Sequence, residues 1–242
     1  MEKEGSAIIR LTQSIQSPTI IVGPPNFGMI GTIVTEFLIS HLHMQSVGSI
    51  SIPNLPAVVA VHQGQLLDPV GLFFAPTQNI LAVHIAANVV GNEQVIVDAL
   101  LQLSKQVNAA RIVSVDGLLD EQSDDVPNVW FVTKDLELVK TFTSVGMDAL
   151  ADGIVSGPSA LLLVANSSMP TVSLLASSHE KIADSAAAAS LVAALDEWLH
   201  LSIDSSQLLD YVSKFEEKWR SILSDSQQTK EEKNKKYVSY VG

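Results

Sequence analysis

At 242 residues and 47% hydrophobic content the chain can bury a large core, and with aromatics at only 5% that core must be aliphatic and alanine-rich. A net charge of −12 argues against nucleic acid as the main partner, because phosphate binding needs clustered Lys and Arg. Cysteine is absent, which excludes disulfides, thiolate metal sites and cysteine nucleophiles. Met1-Glu2-Lys3-Glu4 opens polar, unlike a signal peptide, and no stretch gives the ~18 apolar residues of a membrane span. A cytoplasmic protein with no membrane partner is expected.

Residues 7–11 and 19–22 read as strands. Residues 29–42 read as a helix apolar nearly all round, which implies deep burial. Residues 45–52 look extended. Runs 57–62, 70–75 and 79–86, separated by Gly64, Pro69 and Pro76, suggest a strand meander. Residues 90–107 carry Val95, Ala99, Leu103 and Val107 at helical spacing, and 111–115 is the next strand. Residues 120–128 form an acidic loop, 129–133 a strand, and a short helix starts at Asp135. Gly153 and Gly157 bracket a second glycine-rich turn before the apolar run 160–165. Residues 171–176 are another strand and 184–200 an Ala-rich helix. Asp204 or Ser205 then caps a helix whose Leu208, Val212, Phe215, Trp219 and Ile222 share one face.

Charge is unevenly placed. Between Arg10 and Lys105 there is no Lys or Arg, and the acids there are Glu36, Asp68, Glu93 and Asp98. A surface so poor in charge points to sheet-centre burial or to cover by another copy, so a homo-oligomer is expected. Residues 224–236 are polar and read as a flexible linker of roughly 20 Å reach. They tether Tyr237, Tyr240, Val241 and Gly242, an apolar aromatic element that suits a binding partner.

The most informative motif is the loop Gly23-Pro24-Pro25-Asn26-Phe27-Gly28-Met29-Ile30-Gly31, where a buried strand feeds an apolar helix. In α/β proteins ligands and partners gather at such junctions. Gly23 and Gly28 have P-loop spacing, yet Met29 and Ile30 stand where Lys and Ser/Thr would hold phosphate and Mg²⁺. Pro25 replaces the second glycine of a dinucleotide fingerprint, and two prolines remove anion-binding N–H groups. No G-x-S-x-G or H-E-x-x-H occurs, and His41 and His43 are two apart, so they diverge on a helix. A lone strand histidine such as His62 or His84 reads as structural. Asp116, Asp120, Glu121, Asp124 and Asp125 read as a solvated acidic loop, with cation binding as the lesser alternative. Glu36 reads as a helix-end or subunit contact, with a shifted general base as the alternative. No catalytic residue, metal or cofactor is assigned.

Taken in order, the glycine loop GPPNFGMIG, Gly153-x-x-x-Gly157 before the run ALLL, Met169-Pro170-Thr171-x-x-Leu174-Leu175, and Asp184 with Ala186 to Ala188 resemble the archaeal proteasome assembly chaperone family over residues 7–223. The resemblance implies an α/β fold: a single domain, residues 1–223, with a central mixed sheet flanked by helices. A C-terminal amphipathic helix and a flexible docking tail, residues 224–242, would complete it. It implies a non-enzymatic chaperone or adaptor whose partners are the α subunits of the proteasome core particle. Members often end in hydrophobic-Tyr-any residue, the aromatic filling a pocket and the carboxylate meeting a Lys. Here Tyr240 stands one residue early. Some members were once grouped with ATP-grasp enzymes, so the alternative is a nucleotide- or small-anion-binding ligase using the Gly23–Gly31 loop.

Overall fold

The structure is a computed structural model that describes residues 7–53, 55, 60–62, 65–120, 126–165, 168–178 and 184–203. The C-terminal helix and tail expected over 204–242 lie outside the described residues.

Apolar runs with no polar alternation must be buried on both faces, and that demand places the first central strand. β2 (Thr19–Gly23) sends Ile21 into one core and Ile20 and Val22 into the other. β7 (Ile80–Ile85) and β8 (Arg111–Leu119) flank it in parallel, and β11 (Thr171–Ser178) runs parallel beside β8. Antiparallel strands extend both sides. β6 (Val70–Ala75), β3 (Gln45–Ser51) and β1 (Ile8–Leu11) continue outward from β7. β9 (Val129–Thr133) pairs antiparallel with β11, and the short β10 (Asp148–Ala149) closes that edge. The mixed sheet has nine strands in the order β1-β3-β6-β7-β2-β8-β11-β9-β10. β4 (Ala60–His62) and β5 (Gln65–Leu67) form a separate hairpin.

Five helices cover the sheet among the described residues. α1 (Ile30–His41), α3 (Leu136–Ser144) and α5 (Ser185–Leu199) pack over the core that holds Ile21, Val113, Phe131 and Leu174. α2 (Glu93–Gln106) and α4 (Gly157–Val164) pack on the other face, over Ile20, Leu81, Val83 and Ile112. The chain is a single α/β domain of this doubly covered kind, as the sequence led one to expect. The small side chains Ala187 and Ala188 let α5 lie close against α1. Burial of α1 leaves its hydroxyls needing partners. Thr32 donates to the Ile85 carbonyl at 3.3 Å, and Thr35 Oγ1 lies 2.9 Å from His84 Nδ1. His84 is thus a buried strand histidine held by its neighbour.

Several elements differ from the sequence reading, β11 among them, which runs to Ser178 rather than 176. α2 starts at Glu93 rather than 90, because Gly91 adopts φ +86° and leaves Val90 outside the helix, exposed. β8 runs four residues further than 115, through Asp116 and Gly117. The unassigned apolar run after Gly157 is α4, with Pro158 in its first turn, where the missing N–H costs nothing. Of the charge-poor stretch, most of β2, α1, β6 and β7 is buried within one chain, which accounts for its composition without a second copy.

Candidate functional site

At the carboxyl end of β2 the chain must turn at once into α1, and space there is short. A Cβ on Gly23 would collide with the Gly31 carbonyl, and one on Gly31 would lie 2.5 Å from the Val115 oxygen and 2.7 Å from the Pro24 oxygen. The turn is built from two tight steps. Asn26 N–H donates to the Pro24 carbonyl at 2.9 Å, and Met29 N–H to the Asn26 carbonyl at 3.1 Å. Gly28 and Met29 then sit consecutively in the left-handed region, φ +61° and +50°. Met29, a non-glycine residue there, carries strain that its surroundings must hold.

Two buried aspartates hold the turn, Asp116 through its carboxyl and Asp184 through its backbone N–H. Asp116 on β8 is 2% exposed. Its Oδ2 accepts from Asn26 Nδ2 at 2.8 Å and from Ser159 Oγ at 2.7 Å, and its Oδ1 accepts from Gly117 N–H at 2.8 Å. Three elements therefore meet on one side chain: the glycine loop, β8 and α4. Burial pushes this carboxyl up to about 6, against the smaller lowering pull of the Ser159, Asn26 and Gly117 hydrogen bonds. The reading of Asp116 as part of a solvated acidic loop is corrected: it lies inside the sheet, and residues 121–125 fall outside the described ones.

Asp184, the N-cap of α5, is the second holder. Its Oδ1 accepts from Ala187 N–H at 2.9 Å, its Oδ2 from Ser178 Oγ at 2.8 Å, and its own N–H donates to the Gly28 carbonyl at 2.8 Å. Asp184→Ala is expected to cost about 2 kcal/mol, the cap and one buried hydrogen bond together. Urea unfolding would measure it, and a midpoint equal to wild type would refute the capping role.

The sequence-chosen residues thus converge in large part. Gly23, Pro24, Pro25, Asn26, Gly28 and Gly31 form the turn; Gly157 faces it, since a Cβ there would lie 2.7 Å from Asn26 Nδ2; Asp184 ties it to α5. Gly153 does not join them, its Cβ position meeting Leu150 at 2.9 Å within its own loop. Tyr237, Tyr240, Val241 and Gly242 lie outside the described residues. Ser159 and Ser178 were not singled out, because a lone serine carries no local signal. Asp116 had one: an acid inside the run Arg111–Leu119 is apt to be buried and partnered.

Pro24 and Pro25 offer no N–H, the Asn26 and Met29 N–H groups are spent inside the turn, and the side chains brought against it are acidic or hydroxylic. This is a poor cradle for phosphate. A cavity of about 190 Å³ lies between Leu162, Met169, Pro170 and Lys134, at the amino end of β11. Among the described residues no three His, Asp or Glu side chains group as metal ligands, and no helix is long and apolar enough to cross a membrane.

Phe27 is an exposed apolar side chain of the turn. Phe27 is 40% exposed and packs its backbone over Gly117, where a Cβ would lie 2.7 Å from the Phe27 oxygen. Leu119, two residues on along β8, is exposed as well, as are Val126 and Ile154.

The model of the PAC2 family matches residues 20–223. No curated protein matches the chain. Its structure is similar to that of Pyrococcus furiosus PbaA, described as an archaeal homolog of proteasome-assembly chaperone, with TM-score 0.80 and 24% identity over 93% of this chain and 99% of that one. It is similar to P. furiosus PbaB, described as an archaeal proteasome activator, with TM-score 0.72 and 19% identity over 90% of this chain and 99% of that one. A PAC2 family protein from Streptomyces avermitilis gives TM-score 0.62 and 14% identity over 82% and 93%. At these identities the likeness is one of fold.

Proposed function

Because the chain belongs to the PAC2 family, we propose that it is a non-enzymatic proteasome assembly chaperone or proteasome-binding adaptor. The observation that carries this reading is the family match over 20–223, joined to a fold shared with PbaA and PbaB. The docking element is the aromatic segment Tyr237 to Gly242, received by the α subunits of the core particle. The protein acts as a homo-oligomer, so that several weak segments add in avidity. The exposed Phe27, Leu119, Val126 and Ile154 favour self-association better than the charge-poor stretch does, since that stretch is largely buried in one chain.

The rival reading, a ligase that binds nucleotide at Gly23–Gly31, needs a cation near the turn. Among the described residues the carboxylates of Asp116 and Asp184 stand near it, and they repel an anion. Calorimetric titration with ATP and Mg²⁺ is expected to give no heat.

Binding of the full chain to purified core particle tests the leading reading. Tyr240→Ala is expected to weaken it about 30-fold, a hot-spot loss of about 2 kcal/mol, with folding unchanged. If the variant binds as tightly as the intact protein, the tail is not the contact. If the intact protein does not bind the core at all, the chaperone reading falls. Light scattering at micromolar concentration checks the oligomer, and a strict monomer would remove it.

A further inference from the structure

Asp116 joins three segments through one carboxyl group, and among the described residues no cation pairs with it. Its oxygens receive Asn26 from the glycine turn, Ser159 from the first turn of α4 and the N–H of Gly117. The residues 23–31, β2, α4 and β11 carry no ionisable side chain. The α1 helix packed above offers Glu36 and, further along, His41. α5 offers Asp184 at this end, with Asp196 and Glu197 at the other. β7 offers His84, already engaged by Thr35, and β8 itself continues into Asp120. Among the described residues, and apart from the histidines and Arg111 at the far end of β8, the ionisable groups of these elements are acidic.

We propose that Asp116 is the pin of a pH-sensitive latch: with its carboxyl protonated the glycine turn and the start of α4 stay closed over the end of β8, and proton loss loosens both. The two side-chain partners suit either state. A hydroxyl donates or accepts by rotation, and the Asn26 amide does so by turning over. A protonated Asp116 therefore keeps its hydrogen bonds, while an ionised one keeps them at the expense of a buried charge with no counter-ion among the described residues.

The direction follows from linkage. Closed, the carboxyl titrates at about 6; opened to water, it returns towards the ordinary 3.8. A raised value means that the closed form binds the proton more tightly, so this contribution to closure is complete below the ordinary value and fades as pH rises through about 6. Between pH 5 and 7.5 the opening equilibrium should increase about tenfold. Phe27 rides on the moving turn, so opening also changes the apolar rim that the protein presents.

Two measurements on the full chain test the latch. In the first, carboxyl carbon resonances are followed by NMR from pH 3 to 8. An Asp116 titration near 6 is expected, and one near 4 overturns the proposal. The second is hydrogen exchange at the Met29 and Asp184 amides, both hydrogen-bonded within or onto the turn. After correction for intrinsic exchange, opening should be about tenfold greater at pH 7.5 than at pH 5, and Asp116→Asn should abolish that difference. Equal opening at both pH values in the wild type overturns the latch. Should the Asn variant not fold, the two wild-type measurements decide alone.

Discussion

Gly31→Ala is expected to destabilise the protein by about 3 kcal/mol, although alanine is the better helix former by about 1 kcal/mol. Gly31 lies in the first turn of α1, where it has ordinary helical geometry, so conformational freedom is not what requires glycine. Space requires it. The three atoms nearest a new Cβ would be the Val115 oxygen at 2.5 Å, the Pro24 oxygen at 2.7 Å and the Gly23 carbonyl carbon at 2.8 Å. All three belong to the backbone, so no rotamer change relieves the contact. Either α1 lifts from β2 and β8 or the glycine turn deforms, and each loses packing across the first core. Steric cost outweighs propensity here. Urea unfolding of the Ala variant measures the balance, and an unfolding midpoint at or above wild type would show that the helix can move away cheaply.

Phe142→Ala is expected to cost about 4 kcal/mol, the transfer loss of a buried aromatic plus the cavity it leaves. Phe142 is fully buried on α3, with its ring centroid 5.5 Å from that of Phe131 on β9 and 4.7 Å from that of Trp198 on α5. It is the hub where helix, strand and helix meet, and in an aliphatic core few neighbours are large enough to fill the gap. The guanidinium of Arg111 caps the far ring, 5.5 Å from the Trp198 centroid, which limits how far Trp198 can follow inward. Phe142→Leu should cost less than half as much. Calorimetry of the pair reads the difference, and equal melting temperatures for the Ala variant and wild type would refute the hub.

Much of the scaffold was legible in the chain because its signals are local. The run at Thr19–Gly23 could only be a strand buried on both faces, and the apolar residues 29–42 only a buried helix. What was not legible depended on distant partners. Asp116-Gly117 looks like a turn, yet β8 continues through it. Gly117 is needed where Phe27 crosses, and Asp116 is held by Ser159, 43 residues away in sequence. The glycine turn announced itself through its glycines, whereas its holders Ser159 and Ser178 are ordinary serines until the fold brings them to a carboxylate. The charge-poor stretch was legible as buried surface, but nothing in its composition distinguishes burial within a chain from burial between chains.

The strand order has a consequence for how the chain reaches this state. β2 is made early, yet its two neighbours are β7, paired from Thr19 to Ile80, and β8, paired from Thr19 to Arg111. Until residue 85 has emerged this buried strand has no partner on either side, until residue 119 it lacks its second, and its loop waits longer still for Ser159 and Asp184. Such distant pairings carry a large loop-closure cost before any reward, so refolding should be slow for a domain of this size. Residues 19–42, buried strand and helix in the finished fold, are expected to expose apolar surface during synthesis and so to favour aggregation. A chain with this strand order depends on a protected passage while its own centre is incomplete.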